Sequence, residues 1–159
     1  MHMYCSVCGN SFDISRIDAK ATHPDLDVFC GLHCLMRRVF VGGCAGVLDT
    51  VPKPSWMCGF VGRRSTYEEI AERFFGWHGL RLSYEPFAIR LADGSRYIPD
   101  FYSQKFNLLL EVKGKWANNG KRKLSSVLSI LPANSLILIP THNIKQMETK
   151  CKKHLVFPV

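Results

Sequence analysis

Apolar residues at helical spacing mark the start of the larger part of this chain. Between Ser65 and about Trp77, the apolar positions are Tyr67, Ile70, Ala71, Phe74 and Phe75. Ser65 is followed three residues later by Glu68, which is the capping-box pattern of a helix N-terminus. Gly79 then interrupts the pattern. We therefore predict a helix from Ser65 to about Trp77.

Strand-like patterns follow this helix. Residues 82–91 and 96–102 are predicted strands, and the Asp-Gly turn within 92–95 is typical of a hairpin. Residues 107–112 are almost continuously apolar, which predicts a central strand. The later pattern predicts a helix, a strand, a helix and a short strand at residues 121–131, 135–139, 144–152 and 155–157. The predicted fold class is α/β (α+β), with a mixed sheet flanked by helices.

Breaks in these patterns divide the chain into two regions. With 159 residues, 47% of them hydrophobic, the chain can form a packed core. Residues 49–64 read as a linker because prolines and glycines interrupt both helix and strand periodicity, at Pro52, Pro54, Gly59 and Gly62. We predict a small zinc-finger-like domain at 1–48 and a second domain at 65–159.

Four cysteines in the first region predict a zinc site. Cys5 and Cys8 form a CxxC pair, and Cys30 and Cys34 form a second closely spaced pair. Each pair can bind a tetrahedral zinc ion from one tight turn. We expect one structural Zn²⁺ on these four thiolates. His33 remains an alternative to Cys34 as the fourth ligand.

The chain around these cysteines is expected to contain one loop and one helix. Residues 9–29 look loop-like and polar, so metal binding would supply much of their folding free energy. A helix is predicted over 31–38, and a cysteine pair at the start of a helix resembles the second knuckle of treble-clef zinc fingers. The remaining three cysteines are interpreted as buried free thiols at Cys44, Cys58 and Cys151.

Charge and hydropathy narrow the classes of partner. The net charge is +8, and residues 49–159 carry all of this excess, with 17 basic and 9 acidic residues. Such an excess favours a polyanionic partner. The longest apolar run, at 39–48, is too short and too glycine-rich to cross a membrane. The first ten residues do not resemble a secretion signal, so we expect a soluble protein of a reducing compartment.

The most informative polar residues adjoin the predicted central strand. Glu111 and Lys113 should project from one face of this strand, with Val112 on the other. Burying such charges without a purpose would be costly. Asp100, which follows Pro99 at the end of the adjacent strand, can approach this pair. Two carboxylates could then hold Mg²⁺ beside the lysine.

These residues match a nuclease motif. Pro99-Asp100 with Glu111-Val112-Lys113 resembles the PD-(D/E)XK nuclease superfamily. The segments RSTYE, GLRLSYEP, YIPDF and EVKGKW, followed by a basic helix, resemble in order and spacing the phage endonuclease I family of Holliday-junction resolvases. The resemblance covers about residues 64–140 and does not include the cysteine region. It implies a restriction-endonuclease-like fold.

The resemblance also implies a catalytic set. Glu68 would join Asp100 and Glu111 as ligands of one or two Mg²⁺ (or Mn²⁺) ions, with the Val112 carbonyl as a further ligand. Lys113 would contact the attacking water or the scissile phosphate, and the reaction would be phosphodiester hydrolysis. Glu68 has an alternative role as the helix cap.

Basic residues follow the motif and are expected to contact DNA. Lys115 and Trp116 come first, and Lys121, Arg122 and Lys123 open a helix whose N-terminal amides also favour phosphate. Trp116 could stack on a base or sugar. An equally weighted alternative makes it a partly buried core residue.

We therefore expect a metal-dependent DNA endonuclease, selective for branched DNA, in the cytoplasm of a bacterium or a phage-infected host. One alternative is a sequence-directed restriction, homing or transposon-end nuclease. Another is a non-catalytic zinc-containing adaptor that binds nucleic acid, which the intact Asp100, Glu111 and Lys113 argue against. Cutting a junction twice requires a two-fold homodimer. The resemblance adds that the Glu68 segment could be exchanged between its subunits.

Overall fold

The computed structural model describes residues 1–43, 46–53, 64–117 and 119–154. The helices are α1 (Arg16–Ala19), α2 (Leu32–Val41), α3 (Thr66–Trp77), α4 (Gly120–Leu128) and α5 (Thr141–His154). The strands are β1 (His2–Tyr4), β2 (Ser11–Asp13), β3 (Ser83–Tyr84), β4 (Ile89–Arg90), β5 (Arg96–Tyr97), β6 (Phe101–Ser103), β7 (Leu108–Lys113) and β8 (Leu136–Pro140). The fold is mixed α+β, as the sequence predicted.

A four-stranded mixed sheet forms the centre of the fold. Its strand order is β3-β6-β7-β8, with β6 antiparallel and β8 parallel to β7. Leu108 and Leu110 pack into a core with α2, α3 and α5, whereas Leu109 packs into a second core with α4 and the β4–β5 hairpin. Because both faces of β7 are covered, its sequence is almost continuously apolar. The predicted central position of this strand is confirmed.

Two predicted strands are shorter than expected. Residues 82–91 divide into β3 and β4, and residues 96–102 divide into β5 and β6. Glu85 has a φ of +40° and precedes Pro86, which breaks the first strand. Pro99, which has no N–H to donate, breaks the second. The β4–β5 hairpin itself is confirmed, and its turn includes Gly94 at a φ of +80°.

The helices follow the predicted pattern with shifted ends. The capping box at the start of α3 is present, with Ser65 and Glu68 bonded reciprocally. Helix α4 ends at Leu128 rather than near residue 131. Helix α5 begins at Thr141, three residues before the predicted start, directly after β8. The predicted strand at 155–157 lies outside the described residues.

The N-terminal region is more ordered than predicted. Instead of a loop, β1 and β2 form an antiparallel hairpin, α1 follows, and α2 is longer than the predicted helix at 31–38. Phe29, Leu35 and Val39 belong to the same hydrophobic core as α3 and α5. The His142 imidazole also lies 2.8 Å from the Phe29 carbonyl oxygen. The two regions therefore share one core, although their boundary stays a prediction.

Part of the predicted linker is tied to the second region. Val51 forms an isolated antiparallel bridge with Ala88, and both backbone N–H groups donate hydrogen bonds across it. This bridge lies beside the β4–β5 hairpin. The glycines and the second proline of the predicted linker lie within residues 54–63, outside the described part of the chain.

Candidate functional site

The four predicted zinc ligands converge in the structure. Cys5 and Cys8 lie in a turn closed by hydrogen bonds, while Cys30 and Cys34 flank the start of α2. The sulfur atoms all lie within 4.8 Å of one another, with Sγ–Sγ distances of 3.8 Å for Cys8–Cys30 and 3.7 Å for Cys30–Cys34. A tetrahedral ion with Zn–S bonds of about 2.3 Å would separate its sulfurs by roughly 3.8 Å. The cluster could therefore hold a structural metal ion such as zinc.

The electrostatics of this cysteine cluster also suit a cation. Burial and neighbouring thiols raise the pKa of Cys34 to about 12. Burial would also raise the pKa of Cys5, but hydrogen bonds from the backbone N–H groups of Cys30, Cys8 and Val7 outweigh it. They lower this pKa to about 6. Four thiolates this close repel one another, and a divalent ion would offset that repulsion.

The other candidate zinc ligand does not join the cluster. His33 is exposed and lies in a groove with Met36 and Phe74. Within the described part of the chain, the four cysteines are the only group of three or more His, Cys, Asp or Glu side chains that meets this ligand geometry. Cys151 is buried in the hydrophobic core, and Cys44 and Cys58 lie outside the described residues.

A second candidate centre lies where β5, β6 and β7 meet. Glu111 is only 4% exposed and accepts hydrogen bonds from the Tyr97 hydroxyl at 2.5 Å and the Lys113 ammonium at 2.5 Å. The predicted placement of Glu111 and Lys113 on one face of β7 is confirmed by this contact. Asp100 accepts a hydrogen bond from the backbone N–H of Val112 at 2.7 Å. All three charged side chains line one cleft of about 850 Å³.

The charges in this carboxylate–lysine cluster perturb one another. Burial and the charge of Glu111 raise the pKa of Asp100 to about 8, although the Val112 N–H and the Lys113 ammonium act in the opposite direction. Burial would lower the pKa of Lys113, but Glu111, Asp100 and Glu68 outweigh it and raise this pKa. A bound cation would offset the cost of ionising Asp100 beside Glu111.

Glu68 approaches this centre from the start of α3. The Ser65 hydroxyl donates to its carboxylate at 2.8 Å, and the Tyr84 hydroxyl donates at 2.9 Å. Its charge acts on both Asp100 and Lys113, and it lines a neighbouring cavity with Val112 and Lys113. Exchange of the Glu68 segment between subunits stays a prediction.

The capping role of Glu68 is confirmed, whereas its role as a metal ligand stays a prediction. Among the described residues, Glu68, Asp100 and Glu111 do not form a second compact group of the kind that the cysteines form. The hydrogen bonds from Ser65 and Tyr84 explain this, because they hold the Glu68 carboxylate at the helix start.

Two of the predicted DNA-contacting residues, Trp116 and Lys123, line the cleft. Lys115, Lys121, Arg122 and Lys123 are exposed, and Lys123 lines the cleft wall. Trp116 is half-buried, with its ring 5.4 Å from the Lys113 ammonium and 5.8 Å from that of Lys121. It packs against the second hydrophobic core, as the structural alternative expected, but it also lines the cleft, so its stacking on a base or sugar stays a prediction.

Tyr97 is a residue that the sequence pattern did not single out for the site. It is 6% exposed, and its hydroxyl orients Glu111. Burial, followed by the charge of Glu111, raises the Tyr97 pKa far above its ordinary value, so the hydroxyl remains a donor. The sequence feature that could have indicated this role is a tyrosine at an inward position of a short strand beside Pro99-Asp100. A buried tyrosine hydroxyl usually has a hydrogen-bond partner.

Comparisons with protein-family models, with curated proteins and with solved structures found no match to this chain. The resemblance to the phage endonuclease I family thus rests on the motifs given above and stays a prediction. No helix in the described ranges is long and apolar enough to cross a membrane.

Proposed function

We propose that this chain is a Mg²⁺-dependent DNA endonuclease of the PD-(D/E)XK type that acts on branched DNA. The observation that carries the proposal is the grouping of Asp100, Glu111 and Lys113 at the floor of one cleft. A largely buried Asp100 whose pKa is raised by burial and by the charge of Glu111, with a lysine beside both carboxylates, is poorly suited to a purely structural role.

The donor set suits a hard divalent cation. Asp100, Glu111 and the Val112 carbonyl would hold Mg²⁺ through oxygen atoms, which Mg²⁺ prefers, and Glu68 would join them after release from its helix cap. The bound ion would lower the pKa of water and neutralise charge on the scissile phosphate. The thiolate cluster suits a softer ion such as Zn²⁺. The two metal sites therefore have separate roles.

The side chains of the cleft have distinct tasks in this proposal. Tyr97 fixes the orientation of Glu111 through its hydroxyl. Lys113, whose ammonium remains charged beside Glu111, can donate to the nucleophilic water or to a phosphate oxygen. The basic residues of α4 supply phosphate contacts beside the cleft, consistent with the net charge of +8.

The preference for branched DNA rests on the order and spacing of the four motif segments between residues 64 and 116. It implies a two-fold homodimer, because two cuts require two active sites. The test is cleavage of linear, forked and four-way DNA of matched sequence, with the oligomeric state measured on the same protein. Paired cuts on four-way DNA by a dimer support the proposal. Equal cutting of all substrates by a monomer would contradict the branched specificity but keep the nuclease.

A further inference from the structure

The β4–β5 hairpin has one apolar face and one basic face. Ile89 is paired with Tyr97, and both are buried in the second hydrophobic core. Arg90 is paired with Arg96, and both are exposed. Directly paired residues project on the same side of a hairpin, so the two guanidinium groups share the outer face.

This arginine pair is unfavourable for the hairpin alone. Like charges directly opposite each other destabilise a strand pair. No carboxylate in the described part of the chain forms an ion pair with Arg90 or Arg96. None of these residues therefore offsets the repulsion between the two arginines, whereas a bound polyanion would attract both guanidinium groups.

The hairpin is placed so that such a polyanion would also reach the carboxylate–lysine cluster. Arg96 of β5 and Lys123 of α4 both line this cleft. The next residue of the same strand, Tyr97, donates its hydroxyl to Glu111. The position of the basic face is thereby fixed relative to the cleft floor.

The tip of the hairpin is ordered and lies near the basic start of α4. The Ser95 backbone N–H donates to the Asp93 carboxylate at 2.9 Å, and the Ser95 hydroxyl donates at 2.6 Å. These bonds lower the pKa of Asp93, and the positive charge of Arg122 lowers it further. The hairpin and α4 therefore both present basic groups to one cleft.

We propose that Arg90 and Arg96 bind phosphates of the DNA backbone next to the scissile bond, beside the cleft that Arg96 and Lys123 line. This inference rests on the proposed function, and it adds a DNA contact that the motif residues do not include. Arginine suits the role because its planar guanidinium can bind a phosphate through two hydrogen bonds. Contacts to phosphate would add affinity without sequence preference.

The test is DNA affinity of an Arg90→Gln, Arg96→Gln double variant, measured by fluorescence anisotropy on duplex DNA at several salt concentrations. All proteins carry Glu111→Gln so that cleavage does not interfere. Each lost phosphate contact lowers the slope of log K against log salt by about 0.9, so we expect a decrease of about 1.8. Thermal stability should be unchanged or higher, because the arginine repulsion is removed.

The matched control removes two exposed arginines of the N-terminal region, in Arg16→Gln, Arg37→Gln. An equal loss of affinity and slope in both double variants would overturn the inference, because the effect would then be that of net charge. An unchanged slope with a lower melting temperature would also overturn it and assign the pair a structural role.

The two proposals can fail separately. If the zinc-loaded chain with an intact Glu111 does not cleave DNA but the hairpin variant still shows the smaller slope, the nuclease function fails and the DNA contact stands. If the intact chain cleaves DNA while the hairpin variant binds DNA as tightly as its parent, only the hairpin inference fails. If none of the proteins binds DNA, both the nuclease proposal and the hairpin inference are contradicted.

Discussion

Replacing one cysteine of the cluster tests the metal centre with an unusually close control. Cys34 and Cys151 are both buried helix residues of the same hydrophobic core, 6% and 4% exposed, but only Cys34 belongs to the cluster. Cys34→Ser and Cys151→Ser make the same chemical change in similar surroundings. Any difference in metal binding between the variants therefore reports the fourth ligand.

The expected magnitude follows from the four-sulfur geometry. Structural zinc sites bind with about 10–16 kcal/mol, so the loss of one of four thiolates should cost about 3 kcal/mol or more. That corresponds to a decrease in zinc affinity of at least about 100-fold. Cys34→Ser should also lose more thermal stability than Cys151→Ser, because bound metal stabilises the folded state.

Zinc content by mass spectrometry and affinity by competition with a chromogenic chelator measure this effect. We expect one zinc per chain in the wild-type and Cys151→Ser proteins and a much weaker site in Cys34→Ser. Equal zinc affinity in Cys34→Ser and the wild type would refute the assignment of Cys34. Loss of zinc in a His33→Ala protein would instead support the alternative ligand.

Three further changes test the cleft and the packing of the N-terminal region. Lys113→Met should lower the cleavage rate at least about 100-fold in a gel assay, with DNA affinity largely unchanged, because one charged group at the reacting phosphate is lost. Normal cleavage by this variant would mean that the catalytic centre does not include Lys113. Glu68→Gln, which preserves a capping-box partner, should also lower the cleavage rate about 100-fold, whereas the control Glu69→Gln should not. Equal cleavage rates in the Glu68→Gln and Glu69→Gln proteins would show that Glu68 is not a ligand of the metal. Asp18→Asn should lower the free energy of unfolding by about 1–3 kcal/mol at pH 7 in chemical denaturation. Burial opposes the charge of Asp18, but a serine hydroxyl and a lysine lower its pKa below the ordinary 3.8. The contribution of Asp18 to the free energy of unfolding is therefore present above that pH and is lost as the pH falls. A stability difference between Asp18→Asn and the wild type that persists at pH 2 would contradict this.

The elements that sequence patterns predicted well are those that local chemistry specifies. Ser65 and Glu68 mark the start of α3 because a capping box satisfies backbone groups within one turn. The central position of β7 was predictable because burial on both faces requires a continuous apolar run. The shared face of Glu111 and Lys113 on β7 followed from strand alternation alone, and the structure adds the contact between them.

The features that were missed depend on contacts between distant parts of the chain. Tyr97 orients Glu111 only because the β4–β5 hairpin packs against the central sheet. The N-terminal hairpin has strands of three residues, which are too short for a periodic signal. The packing of the N-terminal region against α5 depends on contacts such as that of His142 with the Phe29 carbonyl, 113 residues apart.

The central claim is that Asp100, Glu111 and Lys113 form a Mg²⁺-dependent centre for DNA hydrolysis. The most direct measurement is the cleavage rate of identically prepared wild-type and Glu111→Gln proteins on the same four-way DNA, with and without Mg²⁺. We predict cleavage that requires Mg²⁺ and is at least about 100-fold faster for the wild type. Equal rates in the two proteins, or no cleavage of four-way, forked or linear DNA by the zinc-loaded wild type, would contradict the claim.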